Sequence, residues 1–172
     1  MSALRPGVVA VGLLGIAVGL WLTGCAGRRI SDGVFRSSKG YRVTVPGSDW
    51  EVVSGSRADL ELRLRDGSAG MLVNAACDRR AGTPAGALAH RLLIGLRDRE
   101  IIERGDVSIN GRRGTRLVVE TLAAGPGPRV RVETVTVADG RCVYDLIYAA
   151  PRAVFASRHA DFDRFVASFL RE

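Results

Sequence analysis

The sequence is short of the residues that carry common chemistries. It holds two histidines, three cysteines and, in Lys39, a single lysine. His90 and His159 stand alone, without the His-Glu-x-x-His spacing of a zinc hydrolase, and no Cys-x-x-Cys pair exists. A Gly-x-Ser-x-Gly elbow and a phosphate-binding Gly-Lys-Ser/Thr loop are missing too. These gaps speak against metal hydrolysis, dithiol redox chemistry, serine acyl transfer and P-loop phosphoryl transfer. The sequence therefore points to no catalytic residue, no metal and no cofactor, and each histidine reads as a solvated imidazole beside an arginine. Asp59 and Glu61 repeat every second residue, as acids do on any wetted strand face, which is thin support for a glycosidase pair.

Aromatic residues make up 6% of the chain, and the basic excess is almost all arginine, giving a formal charge of +7. A nucleic-acid surface would gather that charge on one face beside stacking groups. Here Arg57, Arg63, Arg65, Arg97, Arg99, Arg116 and Arg131 are scattered among acids and apolar residues. The composition speaks against a nucleic-acid partner and reads as a base-composition bias of the genome. With 47% hydrophobic and 25% charged residues, the chain is globular in class.

What is present is one long apolar run, PGVVAVGLLGIAVGLWLTG at residues 6–24, preceded by Arg5 and followed by Cys25. A basic start, an apolar centre and small residues before a cut site form a secretory signal. Leu22-Thr23-Gly24-Cys25 resembles the lipobox of bacterial lipoproteins. That resemblance implies cleavage between Gly24 and Cys25, then a thioether from the Cys25 sulfur to diacylglycerol. Each acyl methylene buried in lipid adds about 0.8 kcal/mol, so several chains hold a protein firmly. The alternative is an uncleaved membrane helix, weakened by its glycines. Either reading puts the body outside the cytoplasm, tethered at its N-terminus. Ala26, where aspartate is the usual inner-membrane retention signal, favours the periplasmic face of the outer membrane in a two-membrane cell. The expected organisation is a signal peptide at 1–24, a lipidated N-terminus and tether at 25–33, and one domain at 34–172.

Cys77 and Cys142 remain. In an oxidising compartment an even pair is a disulfide candidate, and two separate buried thiols are the alternative.

Within the domain, Tyr41–Val45 alternates and stops at Pro46-Gly47, and Leu60, Leu62 and Leu64 alternate with charged residues. Asp66-Gly67, Asn110-Gly111 and Asp139-Gly140 are hairpin turns. Thr83-Pro84 reads as a capped helix start with proline at its first position. Leu88, Leu92 and Leu96 then predict one helix running to Gly105, with strand from Val107 to Ile109. Thr115–Leu122 continues as strand to the loop Gly125-Pro-Gly-Pro128, and 130–136 alternates beyond it. Cys142–Tyr148 is apolar on both parities, as a central strand is. From Pro151, Phe155, Phe162, Phe165, Val166, Phe169 and Leu170 predict a terminal core helix. Trp50, Tyr144 and Tyr148 read as packing between sheet and helices, and Gly111-Arg-Arg-Gly114 as a basic hairpin end. The class is α+β, with a mainly antiparallel sheet and two principal helices.

Tyr41-x-Val43-x-Val45-Pro46, then Trp50, a central helix and a terminal Phe165-Val-Ala-Ser-Phe169 resemble the PsbP/Mog1-like family. Its members, αβα sandwiches, include photosystem accessory proteins, a nuclear-transport factor and bacterial lipoproteins. The resemblance spans residues 34–171 and brings no shared catalytic residues. It implies non-catalytic accessory work on an envelope protein or complex. The competing expectation is a carrier for a small apolar ligand such as a lipid, held between the sheet and the two helices.

Overall fold

A computed structural model of the chain describes residues 30–77, 84–122 and 127–172. Ile30–Ser31 (β1) and Val34–Ser37 (β2) reverse at Asp32-Gly33, both left-handed at φ 52° and 72°. Tyr41–Thr44 (β3) follows through Gly40 and stops before Pro46, which has no N–H for a ladder. The sheet thus begins at Ile30, inside the stretch expected to be tether. Trp50–Val52 (β4), Leu60–Leu64 (β5) and Gly70–Cys77 (β6) form a meander. In β5, Leu60, Leu62 and Leu64 are buried while Arg63 is exposed, the alternation a pleated strand imposes.

The central helix departs from expectation. Ala85–Leu92 (α1) is eight residues long, and the strand expected at Val107–Ile109 begins seven residues earlier, as Glu100–Ile109 (β7). Gly95 at φ 96° and Asp98 at φ 49° are incompatible with a continuing right-handed helix. Beyond them the β-branched Ile101 and Ile102 have a sheet edge to join, since Ile101 pairs with Val119. Pro84 is the cap, extended at φ −56° and ψ 139°, and not the first helical residue. Thr83 lies outside the described residues.

Asn110 and Gly111, at φ 49° and 78°, turn the chain into Arg112–Leu122 (β8). Arg129–Asp139 (β9) and Cys142–Pro151 (β10) close through a turn with Gly140 at φ 51°. Arg152–Ala167 (α2) buries Phe155, Phe162 and Phe165. The terminal helix ends two residues before Phe169, and Leu170–Arg171 (β11) pairs with β3 instead of continuing the helical stripe.

Seven strands form one sheet in the order β4-β5-β6-β10-β9-β8-β7, and β1-β2-β3-β11 form a second. Every described pairing is antiparallel. Strand β10 is central, as its two apolar parities require. Strand β9 is buried on both parities over Glu133–Val137, more than its alternation of valine and threonine conveys. The cause is a helix on each face: α1 sits on Leu117 and Val119, and α2 on the side carrying Val135, Leu146 and Tyr148. The architecture is an α+β sandwich with helix on both sides of an antiparallel sheet.

The larger core is aromatic. Tyr41, Tyr144 and Phe169 meet at centroid distances of 5.0–5.7 Å, and Tyr148 lies 4.8 Å from Phe155 and 5.5 Å from Phe162. Each buried phenylalanine side chain contributes about 1.5–3 kcal/mol by leaving water. Among the described residues no helix is long and apolar enough to cross a membrane.

Candidate functional site

Gly24 and Cys25, the expected cleavage and lipidation residues, lie outside the described residues. Cys77 and Cys142 are brought together by the sheet itself. They are register partners at the end of β6 and the start of β10, with Cα atoms 4.1 Å apart and sulfurs at bonding distance, 2.11 Å.

Asp59 and Glu61 do not act as a pair. Asp59 precedes β5 and accepts hydrogen bonds from Lys39 Nζ at 2.7 Å, Tyr41 Oη at 2.9 Å and the Ala75 N–H at 2.9 Å. It joins the small sheet to the large one. Burial and the Asp59 carboxylate together push the Tyr41 phenol far above its ordinary pKa. Glu61 instead accepts from Ser56 Oγ. Trp50, Tyr144 and Tyr148 are core, and Trp50 Nε1 donates to Asp161 at 3.0 Å.

His159 is not a solvated imidazole. Its Nε2 lies 2.7 Å from Glu133 Oε2 and its Nδ1 lies 3.1 Å from Asp163 Oδ2. Arg116 Nε donates to the other oxygen of Glu133 at 2.5 Å, and that bond is the leading reason its guanidinium pKa is raised. Both imidazole nitrogens face carboxylates, so neither is free to act as a base toward a substrate. The alternation Glu133-x-Val135-x-Val137 puts an acid on a core parity. This is the sequence signal that Glu133 needs a partner, but it does not name His159. His90 is exposed, with Arg104 Nη1 3.3 Å from its Nε2.

A groove of about 870 Å³ opens where the first turn of α1 overhangs β7 and β8. Strand geometry puts Arg104, Asp106 and Ser108 of β7 on its floor, with Thr115 opposite Asp106 and Arg113 opposite Ser108. Gly86 makes the overhang close: a Cβ there would lie 3.3 Å from Arg104 Nη2 and 3.6 Å from Thr115 Oγ1. The expected basic turn is thereby divided. Arg113 faces the groove, while Arg112 pairs with Asp139 at 2.6 Å. The sequence did not disclose this groove because the helical rhythm running to Gly105 covers the first half of β7, Arg104 included. No group of three or more His, Cys, Asp or Glu side chains able to hold a metal occurs among the described residues.

No protein-family model matches the chain, and no curated protein matches it in sequence. Solved structures do match. CyanoP, the cyanobacterial PsbP of Synechocystis sp. PCC 6803, superposes with a TM-score of 0.60 at 16% identity, covering 88% of this chain and 99% of its own. LpqN of Mycobacterium tuberculosis, described as involved in cell envelope biogenesis, gives 0.58 at 14% identity, covering 75% and 81%. PA94 of Pseudomonas aeruginosa, a protein of unknown function and putative regulator, gives 0.53 at 12% identity, covering 81% and 96%. The fold is PsbP-like, as the motif resemblance implied.

Proposed function

We propose that the chain is a lipid-anchored, non-catalytic accessory protein of the cell envelope that docks onto an envelope protein or complex. One observation carries this reading: the Leu-Thr-Gly-Cys stretch ends the long apolar run five residues before the sheet begins at Ile30. So short a connection holds the domain at the membrane surface, at most about 3.6 Å of reach per residue. The shared fold supports it, since LpqN is described as working in envelope biogenesis. The engagement of both His159 nitrogens by Glu133 and Asp163 also fits a non-catalytic role. The periplasmic face of an outer membrane is the proposed address, on the strength of Ala26. In that oxidising setting the Cys77–Cys142 bond forms and persists.

Cys25→Ser tests the anchor. The substituted protein keeps its leader and runs larger than the mature form; unchanged size and unchanged membrane partitioning would refute lipidation. Crosslinking in living cells then tests the docking role. A reproducible envelope protein partner is expected. A co-purified lipid detected by native mass spectrometry, with no protein adduct, would favour the carrier role instead.

A further inference from the structure

We infer that the outer edge of β7 pairs antiparallel with β7 of a second copy of this chain, about a two-fold axis at Gly105, with Arg104 opposite the partner's Asp106. The pairing joins two seven-stranded sheets into one. It stands apart from how the chain is anchored.

Strand β7 ends the sheet order, and among the described residues no strand lies beyond it. Sheet edges are usually guarded by proline, lysine, a bulge or a covering element. Here the one irregularity lies near the start of the strand, between Ile101 and Glu103. From Glu103 to Ile109 the ladder with β8 is regular, and the strand contains neither proline nor lysine. Every residue from Glu100 to Asp106 is exposed. Helix α1 packs on Leu117 and Val119 of β8, one strand back from the edge. In the joined sheet the two β8 strands lie three strand spacings apart, roughly 14 Å. Packed helices need only about 8–10 Å between axes, so the two α1 helices clear each other.

The hairpin fixes which backbone groups point outward. Ile109 and Arg112 flank the Asn110-Gly111 turn as a hydrogen-bonded pair, so Val107, Gly105 and Glu103 also direct their N–H and C=O toward β8. Arg104, Asp106 and Ser108 present theirs to the open side. A copy centred on Gly105 sets Arg104 opposite the partner's Asp106 and Asp106 opposite the partner's Arg104. Each pair exchanges both backbone hydrogen bonds. The pleat also puts these side chains on one face, where opposite charges attract. Asp106 makes no ion pair among the described residues, and Arg104 reaches only the ring of His90. Centring instead on Glu103, Arg104 or Asp106 sets like charges face to face. At the axis a Cβ on Gly105 would meet nothing within 4 Å, so packing inside the described chain does not call for glycine there. Glycine within a strand marks a place where another backbone approaches closely, and the two Gly105 Cα atoms face each other at about 4.5 Å.

The register is tested with Gly105→Cys and Glu103→Cys in the full-length chain, oxidised with copper-phenanthroline in intact cells and run on non-reducing gels. Cysteines opposed at the axis have the arrangement of the register partners Cys77 and Cys142, whose Cα atoms are 4.1 Å apart. Gly105→Cys should give a dimer of doubled mass. Glu103→Cys should not, because its two copies lie roughly 13 Å apart along the strands. Sedimentation equilibrium of the purified full-length chain in dodecyl maltoside reads the association itself. Arg104→Asp and Asp106→Arg each put like charges opposite one another twice and should weaken it about tenfold or more. The two together exchange the charges and should restore it. Both side chains are exposed, so the fold is kept, and circular dichroism checks this. Arg57→Ala should change nothing. A chain that stays monomeric, equal crosslinking through Glu103→Cys, Gly105→Cys adducts with a different protein only, or a charge exchange that fails to restore association would overturn the inference.

Discussion

His159 Nε2 lies 2.7 Å from Oε2 of Glu133, a carboxylate whose side chain is only 2% exposed, and this contact bolts α2 onto β9. Arg116 holds the second carboxylate oxygen from β8, so one buried acid ties two strands and a helix together. A charge so buried is tolerated only when its lone pairs are taken.

Glu133→Ala therefore removes the hub and leaves the Arg116 guanidinium and the His159 ring without their shared acceptor in a partly dry site. We expect a loss of about 3 kcal/mol, the low end for breaking a buried pair because both partners keep some contact with water. Glu172→Ala removes only a surface partner of Arg36 and Arg42, all three side chains being at least 40% exposed, and should cost under about 1 kcal/mol. Urea unfolding of the two variants gives the comparison, and equal losses would show that the hub is no more than a surface contact.

The cross-strand sulfur pair closes a loop with a sequence separation of 65 residues. Chain-entropy reasoning gives such a crosslink about 4 kcal/mol. Replacing Cys77 and Cys142 together by serine should lower the midpoint of thermal unfolding, and dithiothreitol should lower that of the parent but not of the double variant. A parent protein that is insensitive to reductant would refute this.

All three tyrosines are fully buried. Burial pushes the Tyr148 phenol up to about 12 and raises that of Tyr144, while Tyr41 is held higher still by burial and Asp59. Raised values favour the neutral phenol in the folded state. The stability they contribute is complete below the unfolded value near 10 and is lost as pH rises through the folded values. Ultraviolet titration of the native protein should show no phenolate step near pH 10, with ionisation arriving only near 12 or on unfolding. A normal step for even one tyrosine would contradict the packing described.

Gly114 sits where β8 crosses β9 so closely that a Cβ would lie 2.7 Å from the Thr136 carbonyl oxygen. Backbone cannot retreat as a flexible side chain can, so Gly114→Ala should destabilise by about 1–3 kcal/mol. Gly105→Ala meets nothing within 4 Å and should be neutral or slightly stabilising. Melting curves for both variants check the contrast; the reverse order would mean the crossing is looser than found.

Legibility from sequence followed the range of the forces involved. Leu60, Leu62 and Leu64 declared their strand because alternation is a property of neighbouring residues. Asn110-Gly111 declared its turn because only a few residue types tolerate a left-handed backbone. The phenylalanines of α2 declared a buried face through helical spacing. Residues 100–105 deceived because their leucine-rich approach continues a helical rhythm, and only pairing with β8 settles them as strand.

The sequence by itself determined the hairpin turns, the class of fold and the central place of β10, since each rests on local sterics or on the count of apolar faces. Tertiary structure alone decided where α1 stops, that Cys77 meets Cys142, that Glu133 finds His159, and that Arg104, Arg113 and Thr115 share one groove. Those outcomes depend on strands paired across tens of residues, where the free energy of long-range burial and hydrogen bonding overrides what any short stretch prefers.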